Sequence, residues 1–439
     1  MKRLSATILA LVMVFALCAC GQTAAPAAGL AADEADAPSA AATDEAAKET
    51  VTINVVSAYG GVKRDNYEKA IAEYEAASGN AVIERQKAEI SSGFEAGAEP
   101  DVLLFFSDAD VEPLISAGMV VPIDTIRAEY PDFAANMKDS LMTAAADGTR
   151  YAVPVCGWWE NMLVNKSVLY DCGVADPGPD YTWDQFLADC RIILDNGYTP
   201  IACSIAEEPG GWFEFAVMNN GSAANQPAVP TLDADGRLVE DEVSAKWIAA
   251  LDDIKYLYEC GFFQKNTLTA DNVEAEDMFA QGAAAFFIGD SAKVSDFTGN
   301  YGDELDSLAV SYVPAKGERK ATEIIGGITA GCFITEKAWN DPTKRDAAVG
   351  FVSYITSDDV LITLVTTELT ALRSGAKPSG LNMLQQSAAD ANANITAAAG
   401  AVEDNITDEA WSELCGSIQN VVTSKMTAHD AVESAIKHN

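Results

Sequence analysis

Histidine is nearly absent from this 439-residue chain, with only His429 and His438, both at the extreme C-terminus. That argues against a histidine-based catalytic triad and against a zinc centre in the core, so neither a metal nor a cofactor is expected. Basic residues are scarce as well, 28 Lys and Arg against 66 Asp and Glu, for a formal net charge of −38. Phosphate backbones need a basic surface, so nucleic acid is not expected as a partner. No GxSxG, P-loop or HExxH motif occurs. Beyond the N-terminus no apolar run reaches the length of a membrane span. What is present is 49% hydrophobic and 21% charged residues, a composition that can bury a core, in a chain long enough for two or three domains.

The N-terminus reads as a leader. Lys2 and Arg3 precede an apolar stretch over 5–16, too short to span a membrane, which ends at Leu17-Cys18-Ala19-Cys20-Gly21. This resembles a lipobox, in which cleavage precedes a cysteine that carries lipid. Cys20 is the matching residue, and Cys18 stands where a small residue such as Ala or Ser is usual. Residues 1–19 are thus expected to be a lipoprotein signal peptide. A thioether-linked diacyl anchor on Cys20 would be the only membrane attachment. Residues 20–50 are rich in Ala, Pro, Thr, Asp and Glu and have no aromatic residue, the composition of a linker that cannot bury enough surface to fold. The seven cysteines from Cys156 to Cys415 are odd in number and form no CxxC pair. They read as small, mostly buried apolar residues rather than a disulfide framework.

Order is expected from Val51. Residues 51–56 are β-rich and run into the loop Tyr59-Gly60-Gly61, and 65–78 has helical spacing and stops at Gly79-Asn80. Residues 81–85 read as a second strand, and 102–106 as a buried parallel strand. Ser107 to Asp110 is expected to cap a helix ending near Gly118. Thr182 is expected to cap a helix opening at Trp183. Asp233-Ala234-Asp235-Gly236 is a fragment of a calcium loop without its later acidic residues, and reads as a turn. Strands alternating with helices point to an α/β architecture.

Several segments, in order, resemble the extracellular solute-binding proteins of ABC importers, in the large family 1 that includes the maltose-binding proteins. The segments begin with Pro100-Asp101-Val102, then Gly118 to Asp124, and Tyr151 to Pro154 followed by Leu163 to Leu169. Later come Thr182-Trp183-Asp184-Gln185-Phe186, Met278 to Phe286, Gly326-Gly327, and Phe351 to Asp358. The resemblance implies a type II periplasmic-binding fold: two discontinuous α/β lobes with a hinge and a ligand cleft between them. The chain would cross near Cys156, Val310 and Glu336. Residues 51–156 and 310–336 then form the N-terminal lobe, and 157–309 and 337–439 the C-terminal lobe. The implied role is capture of a carbohydrate outside the membrane by a monomer, with delivery to the permease subunits of an importer and no catalysis.

Sugar rings present apolar faces and a rim of hydroxyls, so a site needs aromatic plates with carboxylates, amides or arginine. Trp158, Trp159 and Glu160 adjoin the first expected crossing, and in a strand Trp158 and Glu160 share a face. Trp212 follows Gly210-Gly211 where the family places an aromatic platform, although core packing would also explain it. Tyr59, Gly60 and Asp108 lie at strand ends, where open α/β folds bind ligands. Gly289-Asp290 stands where many relatives carry Gly-x-Trp, and the loss of that tryptophan argues for a different or smaller ligand than a long maltodextrin. Gly327 would let backbone approach a ligand, and Arg373 lies in a late loop. Other readings remain open at this level, among them a surface adhesin with no transport role. Another is a non-sugar solute such as a polyamine, which carboxylates and tryptophans also suit. A third is a glycan-active enzyme, for which paired carboxylates would be required.

Overall fold

The computed structural model describes residues 50–439 except 59–62, 88–89, 91–93, 95–98, 108–110, 146, 222–227 and 302–304. Its strands are β1 (Thr52–Ser57), β2 (Ala81–Gln86), β3 (Val102–Phe106), β4 (Val153–Asn165), β5 (Thr199–Ile201), β6 (Ala284–Asp290), β7 (Leu308–Ser311), β8 (Glu323–Ile334) and β9 (Ala397–Ala399). The helices of the first half are α1 (Arg64–Ser78), α2 (Glu112–Ser116), α3 (Ile123–Glu129), α4 (Lys166–Cys172), α5 (Trp183–Asp195), α6 (Gly210–Asn219) and α7 (Glu242–Glu259). Those that follow are α8 (Asn272–Ala280), α9 (Ser291–Tyr301), α10 (Glu336–Asn340), α11 (Pro342–Ile355), α12 (Asp358–Leu364), α13 (Met383–Ala393), α14 (Asp408–Val422) and α15 (Ala428–Ile436).

The described strands join in the order β2-β1-β3-β8-β4-β6-β5, with β7 also on β4 and β9 on β8. Two long strands connect the halves. β8 pairs with β3 through Ala330 to Ile334 and with β4 through Gly326 to Cys332. β4 leaves β8 after Trp159 and pairs with β6 from Glu160 onward. The passage from one half of the sheet to the other therefore falls between Trp159 and Glu160. Two glycines allow the strands to meet there. A Cβ on Gly157 would lie 1.8 Å from the Gly327 carbonyl oxygen, and one on Gly326 would lie 2.4 Å from that of Trp158.

Local sequence accounts for most elements. β3 is the continuous apolar run, with Val102 to Phe105 buried; it is parallel to β1 and antiparallel to β8. α1 ends at Gly79, whose φ of 73° suits a residue without Cβ. Thr182 caps α5 in a reciprocal capping box with Gln185. Asp233 accepts the N–H groups of Asp235 and Arg237, closing a turn between the bridged Leu232 and Leu238. α2 begins later than expected: the residue before it is Val111, which makes no side-chain cap. The described cysteines, Cys156 to Cys415, are all free thiols, and Cys190, Cys203 and Cys332 are buried.

Packing divides the C-terminal third. Of the residues expected in the second lobe, α11 lies on β1 and α1, where Tyr74 meets Phe351 edge-on at 5.2 Å and donates to the Ala347 carbonyl. Asp101, fully buried, pins this side by accepting from the Asn54 N–H and from Lys344 Nζ at 2.7 Å. α14 and α15 instead pack on α7. The second core is aromatic, with Phe186, Phe213, Phe215, Trp247 and Phe286 fully buried. Each such ring contributes roughly 1.5–3 kcal/mol by leaving water. Among the described residues no single helix is long and apolar enough to cross a membrane.

Candidate binding site

Where β4 passes from one sheet half to the other, its outward face carries Trp158 and Glu160. Both stand on the wall of a cavity of about 360 Å³. Glu160 is directly opposite Asp290 at the end of β6, and Asp290 also lines the cavity. Asp290 is held in place because its Oδ1 accepts the N–H groups of Ala292 and Lys293 at 2.8 and 3.1 Å, starting α9. The third wall is the N-terminal turn of α6, with Pro209, Gly210, Gly211, Trp212 and Glu214. The fourth is the start of α14 and the loop before it, with Glu403 and Trp411.

Small residues set the fit. A Cβ on Gly210 would fall 2.7 Å from Trp411 Cζ2, so the indole ring of Trp411 occupies the space a side chain would fill. A Cβ on Gly211 would stand 3.0 Å from Ile288 Cγ2 and 3.6 Å from both oxygens of Glu160. The glycine pair thereby brings the Glu160 carboxylate against the backbone of α6. The far end of α6 is clamped by Arg319, which is 4% exposed. Its guanidinium donates to Asn219 Oδ1 at 2.9 Å and to the carbonyls of Pro314 and Glu323 at 3.0 and 2.9 Å, and lies 4.9 Å over the Phe215 ring. Burial lowers its pKa to about 9.

The cavity is strongly acidic. Burial pushes the Glu160 carboxyl well above the usual range, and the charges of Glu214, Glu403, Asp290 and Glu208 push it further. Burial raises Glu214 to about 8, opposed in part by the N–H of Glu403, which donates to its Oε1 at 3.1 Å. Glu208 and Glu403 are raised in the same direction, chiefly by burial. Among the described residues Lys293 is the one cation on the wall, and its Nζ bonds Glu276 at 2.5 Å.

The structure brings together Trp158, Glu160, Trp212 and Asp290 from the expected set. Trp212 is only 5% exposed and stacks on Phe186 at 5.8 Å, so most of its ring is core and an edge reaches the cavity. Trp159 points the other way, fully buried, and its Nε1 donates to the Thr367 carbonyl at 3.1 Å. Gly327 pairs with Trp158 and a Cβ there would meet nothing within 4 Å, but it is off this wall. Arg373 is tied to the Ala135 carbonyl and to Asp139, apart from the cavity. Tyr59, Gly60 and Asp108 lie outside the described residues, as does Cys20. The described wall comes from 158–293 and 403–415.

Glu214, Glu208, Glu403 and Trp411 were not anticipated. Glu214 had a signal: it is the one charge among Trp212, Phe213, Phe215, Ala216, Val217 and Met218, and a carboxylate buried with apolar neighbours marks a site. Trp411 had none, because its place depends on α14 returning to α6.

The model of the bacterial extracellular solute-binding proteins matches residues 33–361. No curated protein sequence matches the chain. Among solved structures, the bacterial solute receptor AcbH, described as having an exclusive preference for β-D-galactopyranose, aligns with a TM-score of 0.69 at 15% identity, over 89% of this chain and 96% of that one. A probable secreted solute-binding lipoprotein from Streptomyces coelicolor aligns at 0.68 and 16% identity, over 89% and 99%. Apo RafE from Streptococcus pneumoniae aligns at 0.64 and 18% identity, over 88% and 97%. The likeness is one of fold, the two-lobed α/β architecture of periplasmic solute-binding proteins.

Proposed function

Since the chain belongs to the bacterial extracellular solute-binding protein family, we propose that it is the capturing receptor of an ABC importer. It takes up a carbohydrate, a mono- or short oligosaccharide, outside the membrane, hands it to the permease subunits as a monomer, and catalyses nothing. The observation that carries this is the joint placement of the indole rings of Trp158 and Trp411 with carboxylates on one cavity. Indole faces suit the C–H face of a sugar, and carboxylates accept from its hydroxyls. The cavity opens beside the strand passage at Trp159 and Glu160, where a hinge would let the lobe of β1–β3 close over the ligand. Differential affinity for the closed form then drives closure, and the permease reads the shape. A lipid on Cys20 holds the receptor at the outer face of the membrane, with 20–50 as its tether.

A thermal-shift screen over mono- and oligosaccharides tests the reading. A true ligand at a hundredfold excess over Kd adds about 2.7 kcal/mol of stability and raises the Tm accordingly. If no sugar moves the Tm, carbohydrate capture is wrong. Replacing Cys20 by Ser should release the protein from membranes, and retention after a salt wash would dismiss the lipid anchor.

A further inference from the structure

We propose that the solute bound here carries a protonated amine, seated between the indole rings with its N–H groups on Glu160. The inference rests on the solute-binding reading above and concerns the class of solute.

Charge accounting leads to it. Among the described residues six carboxylates, Glu160, Glu207, Glu208, Glu214, Asp290 and Glu403, line a cavity of about 360 Å³ with one cation, Lys293. Lys293 is already committed to Glu276. Most of the acids have structural partners: Asp290 caps α9, Glu207 accepts from the Asn272 N–H, and Glu214 from the Glu403 N–H. Glu160 is different. Its Oε2 is shut off from solvent and has no hydrogen-bond partner among the described residues, although Glu160 stands on the cavity wall. A buried acid without a partner is neutral while the cavity is empty, or is paired by a cation that enters. The hydroxyls of a neutral sugar can donate to these oxygens but bring no positive charge to relieve the mutual repulsion among them.

The cation is an organic one. The described residues include no group of three or more His, Cys, Asp or Glu arranged to hold a metal ion. The carboxylates are spread around the cavity, and Trp158 and Trp411 line it with indole rings, the side chains best suited to cation–π contact. A primary ammonium has three donors to distribute over such a rim. Amino sugars and aliphatic polyamines both supply this chemistry.

Proton traffic accompanies binding. Glu160 faces Asp290 and Lys293 from β6 and α9, Glu208 and Glu214 from the turn and body of α6, and Glu403 from the loop before α14. In the empty protein burial and the neighbouring carboxylates favour the protonated forms of Glu160 and Glu214, and an arriving ammonium favours their charged forms. Affinity therefore falls as pH drops.

Calorimetric titration of the full chain near pH 7.5, in two buffers of different ionisation enthalpy, tests this. The titrants are glucosamine oligosaccharides, their N-acetylated counterparts, neutral galactose and maltose, spermidine, and calcium chloride. An aminated titrant should bind at least tenfold more tightly than its acetylated or neutral counterpart, with a heat that depends on the buffer. Glu160→Gln should weaken it tenfold or more, and Glu208→Gln at the rim less. Binding by amino sugars or by spermidine identifies the source of the amine. Spermidine binding without any sugar keeps the amine and removes the carbohydrate reading. Equal binding of acetylated or neutral sugars, or indifference to Glu160→Gln, overturns the amine and leaves sugar capture standing. Binding of calcium alone, or of no amine, overturns the inference.

Discussion

Glu160 and Asp290 sit directly opposite each other on β4 and β6, and both carboxylates reach the same cavity. Like charges in opposed positions of an antiparallel pair destabilise the sheet. Asp290 is compensated by two N–H groups at the start of α9, whereas Glu160 Oε2 has no hydrogen-bond partner among the described residues. The protein thus tolerates a local cost at the place where a solute is expected to bind, as functional sites commonly do.

The first expectation follows from that pair. Glu160→Gln removes a buried carboxyl whose ionisation burial and the neighbouring acids oppose, while keeping the shape of the side chain. Without ligand it should stabilise the fold by about 1 kcal/mol at pH 8. Urea unfolding of both proteins at that pH is the check, and a less stable variant would mean that Glu160 has a partner in solution.

A second expectation concerns pH. Glu214 has a pKa of about 8 in the folded chain, against roughly 4.3 when unfolded. Between those values the folded state binds the extra proton, so raising the pH favours unfolding. The penalty is nil below about pH 4, grows as pH rises, and levels off above about pH 8. Thermal melts of the empty protein should show this slope, and Glu214→Gln should flatten it. An unchanged slope would assign it to other groups.

The two tryptophans should separate. Trp212 stacks on Phe186 and meets Phe263 edge-on at 6.1 Å, so Trp212→Ala should cost about 3–5 kcal/mol of stability. Trp411 is half-buried against Gly210, and Trp411→Ala should cost less stability while weakening ligand binding by about 1–3 kcal/mol. Denaturation and titration of both variants decide it; a well-folded Trp212→Ala that binds poorly would reverse the assignment.

Arg319 supplies the last expectation. Its guanidinium donates to Asn219 and to carbonyls around the end of α6 rather than to a carboxylate among the described residues. Arg319→Met leaves those acceptors buried and should destabilise the fold by about 2–3 kcal/mol, the scale of a lost charged hydrogen bond. Arg319→Lys should recover only part, because an ammonium lacks the planar fork. Equal stability of all three proteins would show that the clamp is dispensable.

Much of the fold was legible because it is local. The apolar run of β3, the glycine after α1 and the Thr182 capping box each act within a few residues. The shared face of Trp158 and Glu160 follows from strand alternation alone. The opposite facing of Trp159 follows from the same rule, yet what it meets, the Thr367 carbonyl, lies far along the chain.

The sequence by itself determined the elements, the acidity of the chain and the order of motifs that marks the family, since these depend on periodicity, composition and short-range chemistry. Only the tertiary structure decided which acids share a cavity. Glu160 meets Asp290 because β6 lies beside β4, and Glu214 meets Glu403 because the segment before α14 returns to α6. Trp411 became a wall of the site, and Trp212 mostly core, through packing between helices distant in sequence. Burial and mutual repulsion, which set the proton affinities of these carboxyls, exist only once the chain has closed around them.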